Sequence, residues 1–182
     1  MREVQARRKR WKSQTTGGKR EAFLQKHLIP VVLGPRGRHF IIDRYHLALA
    51  LYQEGLREMY VTVVADLSSL DKDTFWFVLD QRSWMHPFDR TGVRRSYKSI
   101  PRSVHELQDD PYRSLAGELR RLGGFAKDTT PYSEFLWADF SRRRIKASPV
   151  ENDFKRSLRT AFELAKSRDA EYLSGWCGPS EG

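Results

Sequence analysis

The eight residues Phe40-Ile41-Ile42-Asp43-Arg44-Tyr45-His46-Leu47 decide the fold that this sequence predicts, because strand-like residues give way here to a helical pattern. Upstream, 29–33 is an apolar strand, placed at a sheet edge by Pro30. The residues at 34–37, Gly-Pro-Arg-Gly, are typical of a tight turn, and 39–42 supplies the partner strand. The sequence therefore predicts a β-hairpin that leads directly into a helix.

The helix after this junction has clear start and stop signals. Asp43 is a preferred residue type for a helix N-cap. Leu47, Ala50 and Leu51 lie at i, i+3 and i+4, which places them on one inward face. Gly55 is the expected end of the helix.

The rest of the chain adds one strand and several helices. Residues 60–65 are rich in β-branched side chains and predict a buried strand. Apolar residues at helical spacing occupy 71–82, and helices begin near Pro111, Pro131 and Pro149. These patterns predict an α+β fold, in which helices pack around a small mixed sheet and a helical extension follows at the C-terminus.

The expected organisation has four parts along the 182 residues. Residues 1–28 form a basic helical arm, and 29–108 form the α/β core. Residues 109–176 form a helical extension packed on that core, and 177–182 form a tail. The charged N-terminal half of the arm contains Val4 and Trp11 seven residues apart, which predicts one buried helix face.

Charge is concentrated at the N-terminus. The chain has 33 Lys and Arg against 23 Asp and Glu, and residues 1–20 alone carry a net charge of +7. A dense positive segment suits a nucleic acid, because binding releases the counterions condensed on the phosphates. The alternative is a solvated helix whose charge only keeps the protein soluble.

Composition excludes several classes of protein. The single cysteine, Cys177, excludes disulfides, four-cysteine zinc sites and thioredoxin-type redox pairs. No window of 18 apolar residues exists, so no membrane span or membrane partner is predicted. Met1 opens a charged run rather than a secretory signal, so the expected location is the cytoplasm.

The strand-to-helix junction is also the main candidate site. A helix start presents backbone amides and the positive end of the helix dipole, and both favour an anion. Arg44 and His46 in the first turn would strengthen such a site. Asp43 would repel the anion unless a metal ion or a proton intervenes. It is therefore either a plain N-cap or a functional residue of the site.

Two acidic groups elsewhere are weaker candidates. Asp66, Asp71 and Asp73 suit a two-metal nuclease only if their carboxylates converge, and otherwise they are simply solvated. Of the adjacent Asp109 and Asp110, one is expected to cap the helix that starts at Pro111.

Three segments in order resemble the ParB-like nuclease family, which belongs to the ParB and sulfiredoxin superfamily. They are IDRYHLALAL at 42–51, DDPYRSLAG at 109–117 and FLWADF at 135–140. The resemblance runs from about Met1 to Ile145. It implies a compact α/β fold of the ParB/sulfiredoxin type whose junction binds nucleotide or phosphate. The opening strand of that family would lie upstream of Met1, as in a shortened form or a late start.

The junction departs from the better-known branches of that superfamily. ParB proteins have Gly-Glu-Arg-Arg where this chain has Arg44, Tyr45, His46 and Leu47, so cytidine triphosphate binding in the ParB manner is not expected. Sulfiredoxins have a reactive cysteine where Tyr45 stands, which excludes their chemistry. Related serine kinases have Asp-Gly-His, and Asp43 matches their aspartate. That match implies that Asp43 is a base or a metal contact.

Two functions follow as hypotheses. The first is a phosphate-handling enzyme, a nuclease or nucleotide-dependent phosphotransferase, using magnesium and a nucleotide as candidate cofactors. Its candidate catalytic residues are Asp43 and His46, the latter holding phosphate or shuttling a proton. Its candidate phosphate-binding residues are Arg44, Tyr45, Arg7, Lys9 and Arg113.

The second hypothesis is a module that binds a nucleotide or nucleic acid through the basic arm without catalysis. For Arg113 an ion pair with Asp109 is the alternative to phosphate binding. No helix-turn-helix follows the core, so the centromere binding of true ParB proteins is not predicted.

Overall fold

The computed structural model of this chain describes residues 2–179. The predicted start at Met1 and the last part of the predicted tail, 180–182, lie outside the described residues. Among the helices that are described, the longest has 13 residues, and none is both long and apolar enough to cross a lipid bilayer.

The chain forms two compact units. We call the first the sheet unit, and it comprises Arg2–Phe88 and Arg94–Gln108. We call the second the helical unit, and it comprises Asp89–Val93 and the chain from Asp109 onward. Each unit has its own buried apolar residues, and each is described by itself below.

The predicted α+β class is confirmed, with a three-stranded mixed sheet in the sheet unit. The elements of the sheet unit are α1 (Arg2–Lys12), α2 (Gly17–Lys26), β1 (Ile29–Gly34), β2 (Arg38–Ile41), α3 (Tyr45–Gln53), β3 (Val61–Asp66) and α4 (Lys72–Gln81). The elements of the helical unit are α5 (Pro111–Arg121), α6 (Ser133–Arg142), α7 (Ala147–Asn152) and α8 (Phe154–Lys166). Short 3-10 turns lie at Pro35–Gly37, Tyr97–Ser99, Val104–Glu106 and Arg168–Ala170.

The sheet has β1 in its centre, with the strand order β2-β1-β3, so the edge position predicted from Pro30 is wrong. Proline lacks only its own N–H, and the carbonyl of Pro30 still accepts a hydrogen bond from the backbone N–H of Ile42. β1 pairs with β2 in antiparallel orientation, with Val31 opposite Ile41. It pairs with β3 in parallel orientation, with Ile29 opposite Val61, and the register shifts between Val31 and Val32. Because β1 has a neighbour on each side, its residues Ile29, Val31 and Val32 are almost completely buried.

The predicted hairpin between β1 and β2 is present. Its turn contains Arg36 and Gly37 with φ angles of 65° and 66°, which lie in the left-handed region. Glycine adopts this conformation without a steric cost, and two consecutive left-handed residues reverse the chain tightly. β2 ends at Ile41 and α3 begins at Tyr45, so the hairpin leads into a helix as the sequence predicts.

The third strand differs from its prediction in one respect. β3 is a strand, as predicted, but it is not buried: Val61, Val63 and Val64 are 40%, 48% and 48% exposed. β3 lies at the edge of the sheet, where β1 covers only one of its sides. β-branched residues favour an extended backbone wherever the strand lies, so they indicated the strand but not its burial.

The basic arm contributes to the core of the sheet unit. α1 packs against α3, and its residues Val4 and Trp11 are 1% and 5% exposed. The predicted buried face of this helix is therefore confirmed. Trp11 contacts the ring of Phe23 edge-on and belongs to the same apolar cluster as Leu47 and Leu51 of α3.

The helical unit has a separate aromatic core. Phe125 and Trp137 stack almost parallel, with ring centroids 4.4 Å apart, and both are at most 2% exposed. The indole N–H of Trp137 donates to the carbonyl of Ser174, so the one polar group of this side chain is satisfied. Leu115 and Leu119 of α5 pack in the same cluster.

Candidate functional site

Arg44 shapes the junction between β2 and α3. It occupies the N-cap position of α3 with φ 58° and ψ 24°, a left-handed conformation. The first backbone hydrogen bonds of α3 are donated to the carbonyl of Arg44 by Leu47 and Ala48. ParB proteins have glycine at this position, and here the same turn carries a charged side chain.

Asp43 does not cap the helix, so that part of the sequence interpretation is wrong. Its Oδ1 accepts a hydrogen bond from the backbone N–H of Arg44 at 2.6 Å, and no side chain caps α3. The physical reason is the left-handed Arg44, which turns the chain before the carboxylate can reach the next amides. Asp43 is exposed, so its carboxylate is accessible from solvent.

His46 forms the contact that distinguishes this junction. Its Nδ1 lies 2.9 Å from Oε2 of Glu3, and both side chains are only 13% exposed. The other ring nitrogen, Nε2, has no hydrogen-bond partner among residues 2–179 and keeps contact with solvent. A carboxylate at Nδ1 fixes the orientation and tautomer of an imidazole and leaves Nε2 for another partner.

Sequence reasoning missed Glu3, although the sequence contains a signal for it. Glu3 is the one acidic residue in the first twenty, and it precedes Val4, whose burial the helical spacing predicted. Because α1 packs on α3, an acid at this end of α1 lies beside the first turn of α3.

Two more predicted site residues lie at the same junction. The guanidinium of Arg44 donates from Nη1 to the carbonyl of Leu28 at 2.9 Å, and the side chain remains exposed. The ring of Tyr45 lies 4.2 Å from the ring of His46, centroid to centroid, and is half-buried. The structure therefore brings Asp43, Arg44, Tyr45 and His46 together at one turn.

The basic residues of α1 divide into paired and unpaired cations. Arg8 and Lys12 lie 2.5 Å and 3.5 Å from the carboxylate of Glu54, which holds the pKa of that carboxyl below its usual value. The predicted phosphate ligands Arg7 and Lys9 form no ion pair among residues 2–179, and Lys9 is exposed. They share their helix with Glu3, and within the described part of the chain neither forms a hydrogen bond or ion pair with His46.

Arg113 lies in the helical unit. It forms an ion pair with Glu134 rather than with Asp109, and Arg120 pairs with the second oxygen of the same carboxylate. Arg113 is 14% exposed in its side chain and lies over the ring of Phe135 at 4.9 Å. Its charge is therefore compensated within the helical unit.

The other acidic candidates have local structural roles. Asp71 caps α4, and the hydrogen bond from the Thr74 hydroxyl lowers the pKa of its carboxyl. A hydrogen bond from Ser68 lowers the pKa of Asp66, and Asp73 accepts from the hydroxyl of Tyr97. Across residues 2–179, no three His, Cys, Asp or Glu side chains converge in a way that could hold a metal ion.

The cap predicted for the helix at Pro111 is confirmed. Asp110 accepts a hydrogen bond from the backbone N–H of Tyr112 at 2.9 Å and is the N-cap of α5. Its other carboxylate oxygen lies 2.5 Å from the guanidinium of Arg142. Asp110 is thus fully engaged in the structure of the helical unit.

Comparison with known proteins shows a family and a solved structure of high similarity. A family model described as "Putative ParB-like nuclease" matches residues 1–143, which confirms the predicted resemblance. The crystal structure of protein Atu1540 from Agrobacterium tumefaciens is 47% identical, with a TM-score of 0.88. The match covers 97% of this chain and 88% of that chain. No curated protein matches this chain.

Proposed function

Because the chain belongs to the family described as "Putative ParB-like nuclease", we propose that it hydrolyses phosphodiester bonds at the junction between β2 and α3. The observation that carries this proposal is the contact between Glu3 and Nδ1 of His46, one turn from the exposed Asp43. A histidine oriented by a carboxylate is a recurrent arrangement for moving protons in hydrolysis.

The junction offers three kinds of phosphate contact. The first turn of α3 provides the positive end of a helix dipole. Arg44 contributes an exposed guanidinium that no carboxylate neutralises among residues 2–179. Its left-handed backbone costs about 1 to 2 kcal/mol for a residue with a side chain, and strain of this kind is concentrated at functional sites. Tyr45, Arg7 and Lys9 would add to this site.

His46 carries the proton in the proposed reaction. With its Nδ1–H donated to Glu3, its Nε2 has a lone pair that accepts a proton from water. The water oxygen bonds to phosphorus, and the bond from phosphorus to the leaving oxygen breaks. The protonated His46 then returns the proton to that leaving oxygen, which restores the histidine. Glu3 compensates the positive charge that the ring carries in between.

Asp43 has the role of orienting the water or holding a divalent cation. Mg²⁺ is commonly bound by one carboxylate, with the remaining positions filled by water and substrate phosphate oxygens, so a single exposed aspartate fits it. A bound Mg²⁺ would supply charge stabilisation to the phosphate oxygens.

The test is hydrolysis of bis(p-nitrophenyl) phosphate and of fluorescent DNA and RNA oligonucleotides, with and without Mg²⁺. We expect His46→Gln to lower kcat by about 100- to 10,000-fold, the usual contribution of general acid–base catalysis. We expect Glu3→Gln to lower kcat by a smaller factor of about 10, with little change in KM, because it removes only the orientation of the ring. Asp43→Asn should abolish turnover while leaving binding intact or improved.

The matched control is His105→Gln, an exposed histidine in the same unit that bonds to Ser103. It should retain wild-type turnover. Transfer of phosphate from a nucleoside triphosphate to an acceptor other than water would instead identify a phosphotransferase using the same residues. If the wild-type protein turns over none of these substrates, and Asp43→Asn changes only its stability, the chain is a binding module and the proposal is wrong.

A further inference from the structure

A basic cavity lies between α1 and α2, and none of the residues assigned to the junction lines it. It has a volume of about 280 Å³ and is lined by Arg10, Gln14, Lys19, Ala22, Phe23, Lys26 and His27. No carboxylate lines it. We call it the arm groove, and its volume lies near the lower limit for small-ligand sites.

The cations of the arm groove are not neutralised by the protein. Arg10, Lys19 and Lys26 form no ion pair within residues 2–179, whereas Arg8 and Lys12 on the same helix as Arg10 contact Glu54. Like charges held together without a counter-charge repel one another, and an anion relieves that repulsion.

The one acidic residue of α2 does not serve the groove either. Glu21 accepts a hydrogen bond from the hydroxyl of Tyr60 at 2.6 Å, which raises the pKa of that tyrosine. It accepts a second hydrogen bond from Gln25 at 3.1 Å. Both bonds are made by Oε1, and Glu21 forms no ion pair with Arg10, Lys19 or Lys26, so these three cations remain available to a ligand.

The floor of the arm groove is aromatic and fixed. Phe23 is 7% exposed, and the ring of His27 stacks on it with centroids 4.2 Å apart. Nδ1 of His27 lies 2.7 Å from the carbonyl of Phe23, so the ring is held and its Nε2 remains available. The guanidinium of Arg10 lies over the ring of Phe23, 5.8 Å from its centroid. A ring that is already held loses little conformational freedom when a ligand binds.

The spacing of the cations indicates an extended anion rather than a single phosphate. Lys19 and Lys26 are seven residues apart on α2, which places them on one face, separated by about 10 Å along the helix axis. One strand of a nucleic acid duplex carries a charge every 3.4 Å or so along its axis, so this length corresponds to about three phosphates. Three positive charges also exceed the charge of one phosphodiester.

We propose that the arm groove binds the phosphate backbone of a polynucleotide strand, with Arg10, Lys19 and Lys26 each contacting one phosphate. Backbone contacts position a strand without reading its sequence. Identifying this strand as the substrate of the junction rests on the proposed function, whereas the binding itself does not.

The experiment measures the anisotropy of fluorescein-labelled oligonucleotides in a KCl series without divalent cations. The full-length Arg10→Gln/Lys19→Gln/Lys26→Gln variant is compared with the wild-type protein. Each lost phosphate contact reduces the slope of log affinity against log salt by about 1, so we expect a reduction of about 3. At low salt the affinity should fall at least about tenfold, and equally for DNA and RNA of the same length.

The matched control removes three positive charges from α8, as Lys155→Gln/Arg156→Gln/Arg159→Gln. These side chains are exposed, and this variant should keep the wild-type slope. If both variants change the slope equally, or if the groove variant does not change it, the proposal is wrong. The proposal is also wrong if a polyglutamate of matched charge competes with the labelled oligonucleotide as well as an unlabelled oligonucleotide does. The same holds if a mononucleotide binds as tightly as the oligonucleotide.

The readouts separate this proposal from the proposed function. The groove variant should hydrolyse bis(p-nitrophenyl) phosphate as the wild-type protein does, because the groove is not part of the junction. If the wild-type protein hydrolyses nothing but the groove variant loses salt-dependent binding, the groove is a binding site and the hydrolytic proposal fails alone.

Discussion

The two units of this protein use their charged side chains differently. In the helical unit, Arg113 and Arg142 are 14% and 15% exposed and are held by carboxylates of the same unit. In the sheet unit, the cations of the arm groove form no ion pair among the described residues, and Asp43 is exposed at the junction. These arginines of the helical unit are therefore held by half-buried carboxylates, whereas the groove cations of the sheet unit remain accessible to ligands.

The ion pairs of the helical unit form a connected network. Arg142 contacts Asp110 at 2.5 Å and Asp139 at 2.9 Å, and its guanidinium lies over the ring of Tyr112 at 5.1 Å. Asp139 also pairs with Arg143 at 2.8 Å. A network of this kind makes each member costly to remove, because the remaining charge stays in a partly buried place.

The largest effect on stability is expected at Glu134. Glu134→Gln removes the negative charge that holds both Arg113 and Arg120, and Nε and Nη1 of Arg113 already lack partners. An uncompensated, largely buried arginine should lower the free energy of unfolding by about 3 kcal/mol. Chemical denaturation measures this, and hydrolysis at the junction should be unchanged.

The control for that prediction is Glu118→Gln on α5. Glu118 pairs with Arg121 at 2.7 Å, but the two side chains are 40% and 49% exposed. An exposed pair contributes less than about 1 kcal/mol. Equal destabilisation by both substitutions would show that burial does not distinguish the two pairs.

A smaller effect is expected at Asp110, where two contributions can be separated. Asp110→Asn keeps a good N-cap for α5 but loses the ion pair with Arg142, whereas Asp110→Ala loses both. The alanine variant should be the less stable of the two by about 1 kcal/mol, the usual value of a cap. If the two variants unfold at the same denaturant concentration, the cap contributes nothing.

The smallest effect is expected in the sheet unit, at Glu54. Arg8 and Lys12 lower the pKa of this carboxyl below its usual value, so the ion pair stabilises the fold at pH values above that usual pKa. The melting temperature of Glu54→Gln should lie below that of the wild-type protein at neutral pH. The difference should shrink as the pH falls through the lowered pKa, and a constant difference between pH 7 and pH 3 would contradict this origin.

The sequence predicted those features of the sheet unit that depend on local patterns. Turn residues located the hairpin, and helical spacing identified Leu47 and Leu51 as buried. The spacing of Val4 and Trp11 identified the buried face of α1 in the same way. In each case the turn or the buried face depends on residues close together in the chain, so a short stretch of sequence is sufficient to predict it.

The features that could not be predicted depend on contacts between distant segments. The exposure of Val63 follows from the position of β3 at the sheet edge, which no local pattern encodes. The contact between Glu3 and His46 requires the packing of α1 on α3, across more than forty residues. The side-chain cap expected from Asp43 is wrong because the left-handed Arg44 takes the N-cap position of α3.

The left-handed Arg44 also matters for protein engineering. Glycine adopts this backbone conformation without steric strain, so a laboratory screen for heat resistance would favour Arg44→Gly. The same substitution would delete the guanidinium at the mouth of the junction. Selection for stability alone would therefore favour glycine at position 44, whereas selection for ligand binding would favour arginine.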